Sequence, residues 1–139
     1  MIKELKAGWH KMDFMVMGDE RGSLTALEST KNIPFQIQRV YYIYHTLPNV
    51  RRDLHAHKDL QQVAICVAGS CKFLVDDGKN KEVILLDKAT KGLYIGAMVW
   101  REMFDFTEDC VLMVLANRHY EESDYIRSYQ HFLELVPNG

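Results

Sequence analysis

Short apolar or alternating runs, each broken by turn-forming residues, follow one another from residue 11 to residue 109. Closely spaced strands separated by turn signals are typical of an all-β sandwich or barrel, because alternate side chains of a strand face opposite sides of its sheet. The sequence therefore predicts an all-β domain. Its predicted strands span residues 12–17, 23–28, 35–45, 55–57, 61–68, 71–76, 81–86, 92–95, 99–106 and 110–116.

Local signals refine this architecture. An Asp-Gly pair at 77–78 tolerates positive φ in a hairpin turn, and residues 19–22 can form a second tight reversal. Both faces of the segment 61–68 are apolar, which predicts a strand covered on both sides. Near the end of the chain Ser123 or Asp124 could cap a helix that packs across the outside of the β body. The apolar positions of that helix are Ile126, Tyr129, Leu133 and Val136.

Length and composition exclude several classes of protein. The 139 residues carry no linker or low-complexity tract, which predicts a single domain over residues 1–139. A formal net charge of −2 gives no overall basic field to attract nucleic acid. Without a transmembrane stretch or a signal-peptide core at the start, we expect a cytoplasmic protein with no membrane partner. Three cysteines lie singly in apolar runs, which is typical of buried structural thiols: Cys66, Cys71 and Cys110.

The most informative stretch is Arg51-Arg52-Asp53-Leu54-His55-Ala56-His57-Lys58. On an extended strand, His55 and His57 point to one face about 7 Å apart, so the two imidazoles would share one pocket. A His-x-His pair beside arginines and before a covered strand favours a functional site over a structural one.

A metal site is the first chemistry to test, because His-x-His on a strand is similar to the first metal motif of cupins. Where that motif continues with an anionic ligand, this chain has Gln62, and an amide is a poor ligand for Zn, Fe or Mn. The second cupin motif would add a histidine, but this region contains Arg101, which would repel a divalent cation. We therefore predict no metal, and histidines that are free to move protons.

Aromatic and arginine side chains supply the other candidates. Tyr42 and Tyr44 share one face of the predicted strand 35–45 and Tyr41 takes the other, so at least one phenol could reach the pocket. Arg21 and Arg52 could each pair with a phosphate through a planar fork. We expect the remaining predicted substrate-binding residues to be Trp100, Arg101 and Gln62, whereas Arg39, Arg51, Arg118 and Arg127 are interpreted as solvated.

These residues resemble a known family, the dTDP-4-keto-6-deoxyhexose 3,4-ketoisomerases, small cupin-fold enzymes of deoxysugar biosynthesis. The resemblance extends along nearly the whole chain. It is carried by Asp19-Glu20-Arg21-Gly22-Ser23-Leu24, Ile33-Pro34-Phe35, Arg39-Val40-Tyr41-Tyr42-Ile43, Arg52 with His55-Ala56-His57-Lys58, Asp76-Asp77-Gly78, Trp100 with Glu102-Met103, Asp105-Phe106 and Asp124-Tyr125-Ile126-Arg127.

The resemblance implies a cupin-type β-barrel (jelly roll) with a C-terminal α-helix, acting on a dTDP-linked 4-keto-6-deoxyhexose without metal or redox cofactor. It also implies a homodimer, allows an exchange of N-terminal strands between subunits, and suggests a role in the sugars of lipopolysaccharide O-antigen or S-layer glycans. The family's two histidines at the reacting carbons correspond to His55 and His57. Its active-site arginine corresponds to Arg52, and its turn arginine near the sugar and nucleotide to Arg21.

Two departures from the family pattern leave questions open. Where relatives commonly have a glycine pair, or a glycine and an aromatic residue, before the first histidine, this chain has Asp53-Leu54, which puts the local backbone and the pKa of His55 in question. After Trp100 some relatives have His and others Arg. Arg101 therefore leaves the C4 configuration of the product open between galacto and gluco.

The chemistry of an α-hydroxy ketone suits these residues. A neutral imidazole can remove the C3 hydrogen of a 4-keto sugar, and reprotonation of the resulting enediol at C4 places the ketone at C3. We expect one of His55 and His57 to be the base and the other to handle the oxygen or C4 proton, while Arg52 and a tyrosine, Tyr42, stabilise the enediolate. The alternatives are a 3,5-epimerase, a non-catalytic cupin that binds a nucleotide sugar, and, last, a metal-dependent cupin enzyme.

Overall fold

The structure is a computed structural model that describes residues 8–136 of the chain. The opening residues 1–7, on which the absence of a signal peptide was predicted, lie outside this range. None of the helices within it is long and apolar enough to cross a membrane. The strands are β1 (Trp9–Asp13), β2 (Met17–Asp19), β3 (Gly22–Leu24), β4 (Arg39–Ile43), β5 (Arg52–His57), β6 (Gln62–Ala68), β7 (Cys71–Asp76), β8 (Lys81–Leu86), β9 (Lys91–Ile95), β10 (Trp100–Phe104), β11 (Val111–Ala116) and β12 (Tyr125–Ile126), followed by the helix α1 (Tyr129–Leu135).

The strands form two five-stranded antiparallel sheets and one hairpin. The first sheet has the order β1-β9-β6-β11-β4, the second has the order β12-β5-β10-β7-β8, and β2 pairs with β3. Apolar side chains from both sheets fill the space between them, among them Phe73, Ile95 and Leu112. The predicted all-β fold of the cupin type, with a C-terminal helix, is confirmed.

Each sheet is also covered on part of its outer face. The segment between β1 and β4 places Phe14, Ile33 and Phe35 on Val63 and Ile65 of β6. The predicted double coverage of this strand is therefore confirmed from Gln62 to Cys66, and ends at Val67, which is exposed. On the second sheet α1 packs outside the β body, as predicted.

The predicted hairpin turn joins β7 to β8. The amide of Gly78 donates to Asp76 Oδ1 at 2.7 Å, and Gly78 has a φ of +96°, in the region that favours glycine. A Cβ at this position would lie 2.6 Å from Val136 Cγ2, so the turn also lets the end of α1 approach closely.

Several predicted boundaries are wrong. The first strand covers 9–13 rather than 12–17, and the strand predicted at 35–45 begins only at Arg39. The predicted caps Ser123 and Asp124 are also wrong, because α1 begins at Tyr129 and its N-cap is Ser128, whose side chain accepts the amide of His131. Residues 125–126 form β12 instead, which pairs with β5.

Candidate active site

A bulge in β5 shapes the candidate site. On the neighbouring strand β10, Arg101 lies opposite His55 and Met103 lies opposite Arg52, so β5 contains one extra residue in this interval. The bulge includes Asp53, whose φ of +55° lies in the left-handed region. Because directly opposed residues share a face of the sheet, the bulge returns Arg52 to the face of His55 although the two are three positions apart.

The two histidines lie side by side and are buried. Their ring centroids are 4.7 Å apart at an interplanar angle of 87°, and both rings contact Tyr125 of β12, at 5.0 Å for His55 and 4.4 Å for His57. His55 is 4% exposed and His57 1% exposed. Within residues 8–136, neither His55 Nδ1 nor His57 Nε2 has a hydrogen-bond partner. Each ring therefore keeps one buried nitrogen available for a ligand.

Asp124 fixes the orientation of His57. Its Oδ2 lies 3.0 Å from His57 Nδ1, and its Oδ1 accepts the backbone amide of Asp59 at 2.9 Å. A carboxylate beside Nδ1 favours the tautomer with the proton on that nitrogen, which leaves the lone pair on Nε2. Asp124, which the sequence predicted as a helix cap, is thus a hydrogen-bond acceptor in the site.

A second polar chain crosses the space between the two sheets, from β10 of the second sheet to β6 and β4 of the first. The guanidinium of Arg101, with 0% exposure, donates to Gln62 Oε1 and, at 3.0 Å, to the carbonyl of Val99. Gln62 Nε2 in turn donates to the hydroxyl of Tyr41 at 3.0 Å. Gln62 therefore connects a buried cation to a phenol, and among the described residues Arg101 Nε is left without a partner.

The electrostatics keep both imidazoles neutral. Burial lowers the pKa of His55 to about 3 and that of His57 to about 2, and the positive charge of Arg101 adds to both shifts. Burial also raises the pKa of Tyr41 to about 12, so its phenol stays protonated. The pKa of Arg101 falls with burial to about 10, which still leaves it charged near pH 7. Neutral imidazoles next to a fixed cation can accept protons from a carbon acid and favour the anion that results.

A cavity of about 260 Å³ opens beside His55. Two arginines lie over tyrosine rings at this cavity: the guanidinium carbon of Arg39 is 5.2 Å from the centre of Tyr41, and that of Arg127 is 4.2 Å from Tyr125. Stacked arginines with aromatic neighbours suit a planar base or a phosphate. The lining residues are Arg39, Tyr41, Asp53, His55, Tyr120, Tyr125 and Arg127.

The residues do not fit the metal that cupins often hold between their histidines. One ring nitrogen of His57 is engaged by Asp124, and the Gln62 oxygen is engaged by Arg101. An ion held by these histidines would lie near a fully buried guanidinium, and no carboxylate joins the pair as a third ligand among the described residues. These side chains are therefore assigned to proton transfer and not to metal binding.

The structure brings some of the predicted site residues together and places others elsewhere. His55, His57, Gln62 and Arg101 meet as expected, and Arg52 lies on the same face but is half exposed, with its Nε 3.6 Å from Asp53. The prediction of Tyr42 and Tyr44 is wrong for this cavity, because they lie on the opposite face of the β4 segment and line a separate one. Tyr41 takes their place.

Two further predictions are not supported by the geometry. Trp100 alternates away from Arg101 and packs against α1, with its ring 5.3 Å from Tyr129 and 5.9 Å from Phe132, so it is a core residue rather than a substrate contact. Arg21 lies at the exposed tip of the β2–β3 hairpin, bound to Asp19, and is not among the described residues that line the cavity of its own chain.

The left-handed conformation of Asp53 predicts a specific pattern of stability. Gly adopts this φ without strain, which favours the folded state, but it also makes the unfolded chain more flexible. The free energy of unfolding of Asp53→Gly is therefore expected to stay within about 0.5 kcal/mol of the parent value. Asp53→Val is expected to lose about 1 to 2 kcal/mol, because a β-branched residue is strained there. Urea denaturation of both variants measures the difference, and equal stabilities would contradict the assigned backbone.

The chain is similar to known proteins along most of its length. Residues 7–137 match the family described as "FdtA: WxcM-like, C-terminal". A curated protein of Aneurinibacillus thermoaerophilus, TDP-4-oxo-6-deoxy-alpha-D-glucose-3,4-oxoisomerase, is 50% identical over 125 residues, which is 90% of each chain.

Solved structures of 3,4-ketoisomerases have the same fold as this chain. A 3,4-ketoisomerase from Helicobacter canadensis superimposes with a TM-score of 0.91 at 46% identity, over 94% of this chain and 98% of that one. A second structure is a mutant of the 3,4-ketoisomerase QdtA from Thermoanaerobacterium thermosaccharolyticum in complex with TDP-4-keto-6-deoxyglucose. It superimposes with a TM-score of 0.90 at 43% identity, over 94% of both chains.

Proposed function

The chain belongs to the FdtA family, and from this premise we propose that it converts TDP-4-keto-6-deoxyglucose into the 3-keto isomer with His55 and His57 as proton carriers. The protein is a sugar-nucleotide 3,4-ketoisomerase. The observation that carries the residue assignment is the pair of neutral, buried imidazoles at 4.7 Å beside the cavity.

His55 is assigned as the base at C3 because it lines the cavity. The C4 ketone acidifies the C3 hydrogen, so a neutral imidazole can remove it and leave an enediolate shared by C3 and C4. The proton taken from C3 leaves His55 to solvent. His57 accepts a solvent proton on Nε2 and delivers it to C4, while O3 loses its proton and O4 gains one. The electrons stay within the substrate, which ends with its carbonyl at C3.

The groups that stabilise the enediolate differ from those predicted from the sequence. Tyr41 is a protonated phenol in the cavity wall, and through Gln62 its oxygen is connected to Arg101. The phenol can donate to the developing oxyanion, and the buried cation lowers the energy of that negative charge. Arg39 is assigned to the diphosphate. The guanidinium of Arg127 is held by two hydrogen bonds to Glu122, so Arg127 and the tyrosine rings are assigned to stacking on the base.

One NMR experiment tests the reaction class. Supplied with TDP-4-keto-6-deoxyglucose in deuterated water, the protein should yield a 3-keto sugar with deuterium at C4. Deuterium at C3 and C5 with the ketone still at C4 would indicate the epimerase alternative instead. Saturable binding without exchange would indicate a non-catalytic sugar-binding protein and would overturn the proposal.

Asp124 is assigned as a positioning residue for His57. In Asp124→Asn the amide can still accept from Asp59, but its NH₂ group favours the tautomer with the proton on His57 Nε2. We expect kcat to fall about 100-fold with little change in the melting temperature. Asp59→Asn, which changes an exposed carboxylate paired with Arg118, is the matched control. An equal effect of both variants would argue against the assignment.

We also propose a homodimer that uses the β2–β3 hairpin. Apolar side chains are exposed along this part of the chain: Met15, Val16, Met17 and Leu24. They adjoin a groove of about 370 Å³ on the outer face of the first sheet. A partner that covers this patch would bury the apolar area and could bring Arg21 near the partner's site. The first described strand, β1, pairs within its own chain, so an exchange of N-terminal strands stays a prediction.

Mass measurement in solution tests the dimer. Light scattering should give twice the chain mass for the unmodified protein, and Val16→Lys with Leu24→Lys should shift it toward the monomer. Val83→Lys, an equally exposed apolar position on the edge strand β8, should leave the mass unchanged. A monomer at all concentrations would contradict the proposal.

A further inference from the structure

The three cysteines of the chain form a cluster in the core between the sheets. Cys66 Sγ lies 3.4 Å from Cys71 Sγ and 3.7 Å from Cys110 Sγ, and all three sulfurs lie within 4.8 Å of one another. All three are free thiols and none is more than 2% exposed. Cys66 lies four residues along β6 from Gln62, about 13 Å away, so the cluster is separate from the histidine site.

The fold brings these side chains together from two strands and from the residue that precedes a third. Cys66 ends the buried part of β6, and Cys71 begins β7 after a turn in which Gly69 has a φ of +63°. Cys110 directly precedes β11, whose Leu112 lies opposite Cys66. The cluster is therefore part of the rigid framework, and its spacing does not depend on a flexible loop.

The spacing fits one atom bound by three sulfurs. With bonds of about 2.3 Å to sulfur, a pyramidal or trigonal three-coordinate centre holds its sulfurs roughly 3.5 to 4 Å apart. The Cys66–Cys71 and Cys66–Cys110 separations lie at or close to that range, and the sulfurs of Cys71 and Cys110 are within 4.8 Å of each other. A small adjustment of the side chains would therefore form three bonds without moving the strands.

The surroundings select the charge of the bound atom. The neighbours in this core are apolar, among them Phe73, Leu86 and Phe106. A thiolate is costly in such a place. Three thiolates around a divalent ion leave a net negative charge, whereas around a trivalent atom they leave none.

We propose that Cys66, Cys71 and Cys110 form a binding site for trivalent arsenic, taken up as arsenous acid. Three As–O bonds break and three As–S bonds form, and each hydroxyl leaves as water with one thiol proton. Arsenic stays in the trivalent state, so the step needs no oxidant or reductant. The product is a neutral three-sulfur complex, suited to an apolar core.

A cavity gives the ligand a path to the cluster. It has a volume of about 440 Å³ and Cys110 forms part of its wall. The other lining residues are Tyr42, Tyr44, His45, Glu108, Asp109 and Val111. Arsenous acid is small and uncharged near neutral pH, so it can enter this cavity, bond to Cys110 first and then reach Cys66 and Cys71.

Arsenic-edge X-ray absorption and elemental analysis test the proposal. The full chain is incubated with sodium arsenite under reducing conditions, and unbound arsenite is removed by gel filtration. We expect one arsenic per chain with three sulfur neighbours and no oxygen. Cys71→Ala and Cys110→Ala should each weaken arsenite binding at least tenfold, whereas Met113→Leu, which removes a sulfur that is not a thiol, should leave it unchanged.

Other results would overturn the site. Arsenic that elutes free of the protein, or that has fewer than three sulfur neighbours, would contradict it. Retention of Zn²⁺ in preference to arsenite would contradict the charge argument. If the alanine variants do not fold, the absorption spectrum of the unmodified protein still shows whether three sulfurs bind the arsenic. Those sulfurs can only be the proposed ones, because the chain has no cysteines beyond these three.

Discussion

Replacing His55 by Asn is expected to lower kcat by about three orders of magnitude, because the amide fills a similar space but cannot accept the C3 proton. We expect His57→Asn to have an effect of similar size, since reprotonation at C4 would lose its carrier. The two variants should differ in deuterated water. His57→Asn should still exchange the C3 hydrogen of unreacted substrate with solvent, whereas His55→Asn should not, because it lacks the base.

NMR of the substrate during the reaction measures both effects. His131→Asn, at an exposed position on α1, is the matched control and should keep full activity. The assignment of His55 as base would be wrong if its variant still exchanged the C3 hydrogen at the parent rate. Turnover within tenfold of the parent in both variants would remove the histidines from the mechanism altogether.

The second large effect is expected for Arg101→Met, which should lower kcat by about 10²- to 10³-fold through loss of the cation that favours the enediolate. Met has a similar length and avoids the cost of burying a charge, whereas each buried acceptor left unpaired costs about 1 to 3 kcal/mol. We therefore expect the variant to fold, although Gln62 and the carbonyl of Val99 lose their donor. Arg51→Met, at an exposed arginine paired with Glu102, is the control.

The pH profile separates this electrostatic role from a structural one. The charge of Arg101 contributes, after burial, to the lowered pKa of both histidines. Without it both pKa values rise, so the imidazoles become protonated at a higher pH and lose their function as bases there. The acid limb of kcat/KM should therefore move to higher pH. An unchanged acid limb in Arg101→Met would contradict the role.

Much of the fold was predictable because its signals are local. The Asp-Gly turn at 77–78 and the alternation in the later strands need no knowledge of the partner strands. Residues 25–38 were harder, because their apolar side chains cover the outside of a sheet instead of forming a regular strand. Asn32 shows why: its side chain bonds to the backbone of Glu28 and Ala26, which holds this segment as a structured loop.

The histidine pair was predictable from its spacing, but its partners come from distant segments. Alternation put Tyr41 and Tyr42 on opposite faces of β4, yet both faces of that strand carry aromatic or apolar side chains, so the inner one could not be identified. Asp124 and Tyr125 reach the site only because β12 pairs with β5. Arg39 and Arg127 are interpreted as solvated from the sequence, because only the folded structure shows that each lies over a tyrosine ring.

The bulge was hidden for a different reason. Three positions separate Arg52 from His55, which on a regular strand would put them on opposite faces. Only the register against β10 reveals the extra residue. The departure at Asp53-Leu54 put the local backbone in question, but a single residue that replaces glycine does not indicate a bulge without the register of the neighbouring strand.

The pairing of β12 with β5 has a consequence for the order of folding. β12 is an edge strand of the second sheet, so the other strands of the two sheets can assemble before it docks. His57 then lacks its carboxylate partner Asp124, and the ring of Tyr125 does not yet cover the two histidines. A chain can therefore be almost fully folded and still inactive, and the enzyme becomes competent only when residues 124–126 dock on β5.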